Sequence, residues 1–388
     1  MAEVNKRTWI TIDLHALRKN LSQVSALCPD SRIFPIIKSN GYGHGMVLAA
    51  RALLESRGKI QGFGVAALEE ALELNRELEP KELGLDLLLL PGFASVDELS
   101  TCLHAGISSV IHSEYQVQLL RDTARNNPGF PATKLWIKLN TGMNRLGLSS
   151  EACINVFKEF SDNSKFPNIE LILMSHLAYA DDMKYGPSYD FTQNQLAEFA
   201  KVRDVVQFFS DKKIESSMAA SAGILTLPES HHEIVRPGVM LYGASPLARQ
   251  TGEDLGLLPV MTLHSRLIAV NEVSAGSCIG YGATYTCDKD TRVGVVSVGY
   301  GDGYPRSAAN GTPVLIKTAS GALRARLIGR VSMDMITIDL DGIEDAQIGD
   351  DIILWGEGLC ADEVAHHTGT ISYELFCQVT KRVSYEYI

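Results

Sequence analysis

No stretch of this sequence approaches the ~18 consecutive apolar residues that a membrane-crossing helix requires. The opening residues "MAEVNKRTWI" also lack the apolar core of a secretory leader, so a cytoplasmic protein is expected. Basic charge is scarce: 35 Lys and Arg against 46 Asp and Glu leave a formal charge of −11, with no Lys/Arg cluster to face a phosphate backbone. That balance excludes nucleic acid as a partner, and any anion must be met by a local site. Cysteine is sparse and scattered. The seven residues, Cys28, Cys102, Cys153, Cys278, Cys287, Cys360 and Cys377, are odd in number and form no C-x-x-C pair, which fits reduced thiols better than disulfides or zinc. The commonest catalytic signatures are missing too, with no P-loop and no G-x-S-x-G, and "GYGHGM" and "GYGDGY" stop short of G-x-G-x-x-G. The adjacent pairs His231/His232 and His366/His367 point apart in regular structure and lack metal-ligand spacing, so they read as surface histidines.

What is present is length and pattern. The 388 residues are 45% hydrophobic and 21% charged, enough for a large core. From residue 33 onward, short apolar runs alternate with amphipathic stretches: "RIFPII", "GFGVAA", "LDLLLL", "SSVIH", "LWIKL", "IELILMSH", "SSMAAS" and "EIVRPG". Between them, Leu68 to Leu78 and Thr192 to Phe208 show apolar spacings of three and four, the period of a helix. Repeated βα units imply a parallel sheet, and eight of them fit a TIM-like (β/α)₈ barrel over residues 1–250. An open doubly wound sheet is the alternative. Beyond about residue 250, "RLIAVNEV", "RVGVVSVGY", "TPVLIKT", "ALRARLIGRVSMD" and "DDIILWG" follow one another across Gly, Asp and Asn turns, predicting a mostly β domain over residues 251–388.

In a barrel, chemistry gathers at the C-terminal ends of the strands. Lys38 ends the first apolar run, His176 the sixth, Ser221 follows the seventh, and Arg236 and Gly238 follow the eighth. Lys38 taken alone could equally be a charge snorkelling to solvent. The loops after strands seven and eight are the usual phosphate site of such barrels, and Ser221 opens a predicted helix whose amides favour an anion. A lysine amine and a phosphate site on one face suggest pyridoxal 5'-phosphate, an aldehyde with a phosphate handle.

Seven segments occur in one order along the chain: "IKSNGYGHG", "KLNTGMNRLG", "MSHLAYAD", "VRPGVMLYG", "GYGATY", "VGYGDGYPR" and "GRVSMDM". In these the sequence resembles the alanine racemase family along essentially its whole length. The resemblance implies a pyridoxal-phosphate-dependent homodimer of a barrel and a β domain that interconverts L- and D-alanine and supplies D-alanine for peptidoglycan. It makes Lys38 the covalent cofactor lysine and one acid/base group. Tyr281 would be the other, reaching the site from the second subunit and assisted through His176 and Arg236. Two groups are a chemical requirement, since racemisation removes a proton from one face of Cα and returns one to the other. Arg236 would face the pyridine nitrogen, where a guanidinium donates a hydrogen bond but is a poor acid, which favours return of the proton at Cα over side reactions.

By the same resemblance, Tyr42, Ser221, the backbone of Gly238 and Val239, and Tyr373 hold the phosphate. Arg145 binds the substrate carboxylate, Met333 and Asp334 make a substrate-side contact from the second subunit, and Tyr300 lines the way in. Lys138 matches a position carbamylated in some members. The chain departs from the commonest family pattern at Ser39, Gly41, Ala220 and Ser332, which leaves the catalytic groups intact and bears on substrate choice. A racemase for serine or basic amino acids, a barrel decarboxylase and a non-catalytic cofactor carrier are the rival readings. Arg236 in the place of an acidic partner argues against the decarboxylase, and Tyr281 against the carrier.

Overall fold

The structure is a computed structural model that describes residues 6–56, 58–126, 130–162, 166, 168–182 and 186–388. The eight apolar runs become eight parallel strands: β2 (Arg32–Ile33), β3 (Gly62–Val65), β4 (Asp86–Leu89), β5 (Ser108–Ile111), β6 (Thr133–Lys138), β7 (Ile169–Met174), β8 (Glu215–Ser217) and β9 (Ile234–Val235), preceded in the chain by β1 (Thr8–Ile12). Strands β3 to β8 form one sheet in chain order, while β2 pairs with β9. Single bridges, Ile33 to Ile60, Ile36 to Gly64 and Ala220 to Arg236, join the two pieces into a closed ring. The ring is the TIM-like barrel, and the open-sheet alternative does not apply.

Both faces of these strands are covered, so they read as continuous apolar runs rather than alternating ones. Along β6, Leu135 and Ile137 pack outward among residues such as Phe157 and Phe160. Trp136 between them turns inward with Phe34, Leu88, Val110, Ile172 and Ile234, its ring edge-on to Phe34 at 5.2 Å. The barrel interior is therefore a filled core, and function is left to its rim. The first strand is shorter than the apolar run suggested: "RIFPII" holds two strand residues and one bridge at Ile36, because Pro35 has no amide to donate to a ladder.

The second domain contains β10 (Met261–Val273), β11 (Cys278–Ile279), β12 (Tyr285–Thr286), β13 (Thr291–Val296), β14 (Pro313–Thr318), β15 (Gly321–Leu327), β16 (Ile336–Asp339), β17 (Asp351–Trp355) and β18 (Ser384–Tyr387). The long β10 pairs with β17 through its first half and with β13 through its second, with an irregularity between Leu267 and Ala269. Six strands thereby curl on themselves. Strand β1 runs antiparallel to β10 and parallel to β18. The first described strand thus joins the sheet of the second domain, and the chain enters the barrel after it. "TWITI" carries β-branched and aromatic residues suited to any sheet, and nothing local tells which one it joins.

Two polar side chains, buried Asn20 and half-buried Asp362, fasten the domains. Asn20 donates to Leu241 O (3.0 Å) and Leu258 O (2.8 Å) and accepts from Leu258 N (2.9 Å). Asp362 accepts from Ser245 N (3.0 Å), Gly252 N (2.8 Å) and Ser372 Oγ (2.5 Å), fixing the helix Ser372–Gln378 over the barrel mouth.

Candidate active site

Lys38 opens a turn of unusual backbone. Ser39, Asn40, Gly41 and Tyr42 all have φ between 52° and 64°, a left-handed run that costs non-glycine residues energy and persists only when its surroundings impose it. Several bonds do so. Asn40 Oδ1 accepts from Met46 N (2.9 Å), Glu70 Oε1 accepts from Asn40 N (3.2 Å), and Gly45 N donates to Asn40 O (2.9 Å). At Gly43, with φ of 79°, an added Cβ would stand 2.2 Å from Phe376 O. The glycine lets the turn lie directly on the helix that carries Tyr373, whose ring sits 5.9 Å from that of Tyr42.

His44 locks the same turn, a role the sequence reading missed. Its Nδ1 lies 2.8 Å from Tyr42 O and 3.1 Å from Gly41 O. Carbonyls only accept, so the proton is on Nδ1. Complete burial pushes its pKa down to about 4, which keeps the ring neutral.

Around Lys38 the strand ends enclose a cavity of about 730 Å³, lined by Tyr42, Lys138, Arg145, His176, Ser221, Arg236, Gly238, Val239 and Tyr373. Ten of the residues singled out in the sequence therefore converge. Four are cationic, and Asp181 is the only carboxylate among the described lining residues. The imbalance shows in their acidities. Lys38 is held below the ordinary lysine value by burial and then by Arg145. Lys138 is pushed down to about 8 by burial, then by Arg236, Arg145 and Lys38. His176 is pushed down to about 3 by burial and the same cations, so its ring is neutral. Burial also raises the phenols of Tyr42 and Tyr373, which stay protonated donors.

Arg236 is buried, and its guanidinium donates to Ser217 Oγ, to Ser175 O at 2.6 Å and to Met218 O at 3.2 Å. Among the described residues no hydrogen bond joins it to the His176 ring, so the two are neighbours through charge. Ser221 Oγ accepts from Gly238 N at 2.9 Å. A Cβ on Gly238 would lie 2.6 Å from Tyr42 Oη, so glycine keeps open a notch between backbone, hydroxyl and phenol. Gln195, also missed in the sequence, is buried and donates to Thr141 Oγ1 (2.9 Å) and His176 O (3.1 Å) while accepting from Ala178 N (2.9 Å). It ties the loop after β6 to the end of β7.

The other expected site residues lie elsewhere. Tyr281 sits on the β11–β12 hairpin and is 72% exposed, and Tyr300 and Met333 are also exposed on the second domain. Together with Asp334, none lines the cavity of its own chain. Tyr300 N donates to Ser332 O (3.1 Å) and Gly301 N to Met333 O (2.8 Å), which brings Tyr300, Met333 and Asp334 onto one surface. His231 and His232, read as surface residues, are half-buried, bonded to Cys28 (3.3 Å) and Arg203 (2.8 Å).

A parallel barrel with a lysine and converging cations at its mouth, joined to a curled β domain, defines a two-domain barrel protein with an anion-binding site at the mouth. Comparison with known proteins makes the class specific. The family "Alanine racemase, N-terminal domain" matches residues 12–246, and "Alanine racemase, C-terminal domain" matches residues 260–387. The chain belongs to the alanine racemase family. It is 40% identical to the alanine racemase of Aliivibrio salmonicida over 380 residues, 97% of this chain and 98% of that one. The crystal structure of the biosynthetic alanine racemase from Pseudomonas aeruginosa superposes with a TM-score of 0.88 at 37% identity, covering 99% of each chain. The alanine racemase of Bartonella henselae, solved with covalently bound pyridoxal phosphate, superposes with a TM-score of 0.82 at 26% identity, over 99% of this chain and 100% of that one.

Proposed function

We propose that the protein interconverts L- and D-alanine in the cytoplasm, as a homodimer with pyridoxal 5'-phosphate attached at Lys38, and so supplies D-alanine for peptidoglycan. The observation that carries this reading is the convergence of a partly desolvated lysine, three further cations and an open glycine notch on one barrel mouth. A phosphate-bearing aldehyde fits all three, and the relative from Bartonella henselae was solved with covalently bound pyridoxal phosphate. Among the described residues no helix is long and apolar enough to cross a membrane.

In this reading the barrel domain carries the cofactor lysine and the β domain the catalytic tyrosine. Ser221, Tyr42, Tyr373 and the backbone of Gly238 and Val239 hold the phosphate, and Arg236 donates to the ring nitrogen. When bound, pyridoxal phosphate supplies an electron-withdrawing ring that stabilises negative charge at an amino acid's Cα. Arg145 orients the substrate carboxylate. Lys38 Nζ, held toward its neutral form, takes the Cα proton on one face, and the partner's Tyr281 delivers one to the other. The roles reverse for the opposite isomer. Neutral His176 can accept a hydrogen bond from that phenol.

Lys138, with a pKa lowered to about 8, is largely a free amine at mildly alkaline pH. Attack of that amine on carbon dioxide, with loss of a proton, would place a carbamate where the cations lack a counter-charge. The test of the main reading is chiral detection of D-alanine from L-alanine with added cofactor, run beside Lys38→Ala. Product from the wild type that disappears in the variant is expected. A wild type that turns over serine or lysine faster than alanine would displace the choice of substrate.

A further inference from the structure

The residues that meet substrate from the second subunit in the proposed reading, Tyr300, Met333 and Asp334, are held by a device outside the cavity. Arg382, just before β18, donates from Nη2 to Asp334 Oδ1 at 2.8 Å, and its Nε lies 3.3 Å from Asp302 Oδ1. Asp302 is buried, and its other oxygen accepts from Gly299 N at 3.0 Å. Thr380, two residues before Arg382, donates from Oγ1 to Gly301 O (2.8 Å) and from its amide to Asp302 O (3.1 Å). Gly301 has no side chain to obstruct the guanidinium: a Cβ there would lie 2.4 Å from Arg382 Nη1 and 3.0 Å from Met333 O.

One guanidinium therefore spans two loops that are distant in sequence, "GYGDGY" and "SMDM", and each carries substrate-side residues. We infer that Arg382 is a positioning residue for alanine: anchored on buried Asp302, it fixes the Asp334 carboxylate and with it the surface of Tyr300 and Met333 that the partner's barrel mouth receives. The inference rests on the racemase reading and assigns no contact between Arg382 and substrate. Fold stability does not account for the Arg382–Asp334 pair. The side chains of Arg382 and Asp334 are 52% and 53% exposed, and ion pairs so open to water add little to stability. What a planar, two-pronged cation adds at such a place is fixed direction.

The test is a double-mutant cycle on the full-length holoenzyme, with Arg382→Gln, Asp334→Ala and the pair assayed for KM and kcat on alanine beside melting temperature, dimer mass and cofactor absorbance. Arg382→Gln is expected to raise KM roughly ten-fold with melting temperature, dimer mass and cofactor content close to wild type. In the Asp334→Ala background it should have no further effect, because its action passes through Asp334. Arg382→Lys, which keeps the charge and loses the fork, should fall between. Effects that multiply instead of saturating, an unchanged KM, or a loss of melting temperature and dimer in both Arg382 variants would each overturn the inference. A wild type without racemase activity overturns the racemase reading itself, whereas an active wild type indifferent to Arg382 overturns this inference alone.

Discussion

In the proposed reading the barrel mouth and the exposed face of the β domain carry two halves of one chemistry in opposite ways. At the mouth most groups are enclosed, Arg145 being the exposed one among the cations, and the surroundings depress the protonation of Lys38, Lys138 and His176. On the β domain, Tyr281, Tyr300 and Met333 stand in solvent and reach nothing in the cavity of their own chain. Enclosure tunes a group, whereas exposure leaves it to be tuned by whatever it later meets. In the proposed reading Tyr281, 72% exposed on its own chain, meets the groups it works with only once a second barrel mouth covers it.

The largest effect that sharpens this contrast is expected from Tyr281→Phe. Loss of one phenolic oxygen should lower racemisation by ~10²–10⁴-fold, while cofactor absorbance stays as in the wild type because the cavity does not contain Tyr281. Loss of the cofactor would break the division between the halves. A smaller effect is expected from Lys138→Arg, which cannot add carbon dioxide. The variant should lose a carbamate signal in ¹³C NMR with labelled bicarbonate and about ten-fold in activity through a less well oriented Arg145. A wild type with no such signal would show Lys138 to be a plain lysine.

The smallest effect is on stability. His176 and His44 have folded pKa values of about 3 and about 4 against 6.5 when exposed. Between those values the unfolded chain binds protons that the folded chain refuses, so stability falls as pH drops from 6.5 toward 4. Melting temperature followed over that range should decline, and less steeply in His44→Gln. An identical slope in the variant would remove His44 from the account.

Much of this was legible in the sequence because it is local. Eight apolar runs between helical patterns specify a barrel, and residues such as Lys38 and His176 at the ends of those runs must lie on one rim. Strands β1 and β18 were not legible as parts of one sheet, since their pairing joins opposite ends of the chain. His44, Gln195 and Arg382 escaped for a related reason: each is an ordinary polar residue whose role exists only through the carbonyl or carboxylate the fold brings to it. The proposed role of Tyr281 was legible only by family resemblance, because an aromatic in a turn has no periodic signature, and among the described residues it has no hydrogen-bond partner.

The claim that one site needs both halves from different chains is tested most directly by mixing two inactive variants, Lys38→Ala and Tyr281→Ala, under conditions that exchange subunits. A mixed dimer keeps one site with an intact lysine and an intact tyrosine, so random exchange should restore about a quarter of wild-type activity. A mixture that exchanges subunits and remains inactive would contradict the account.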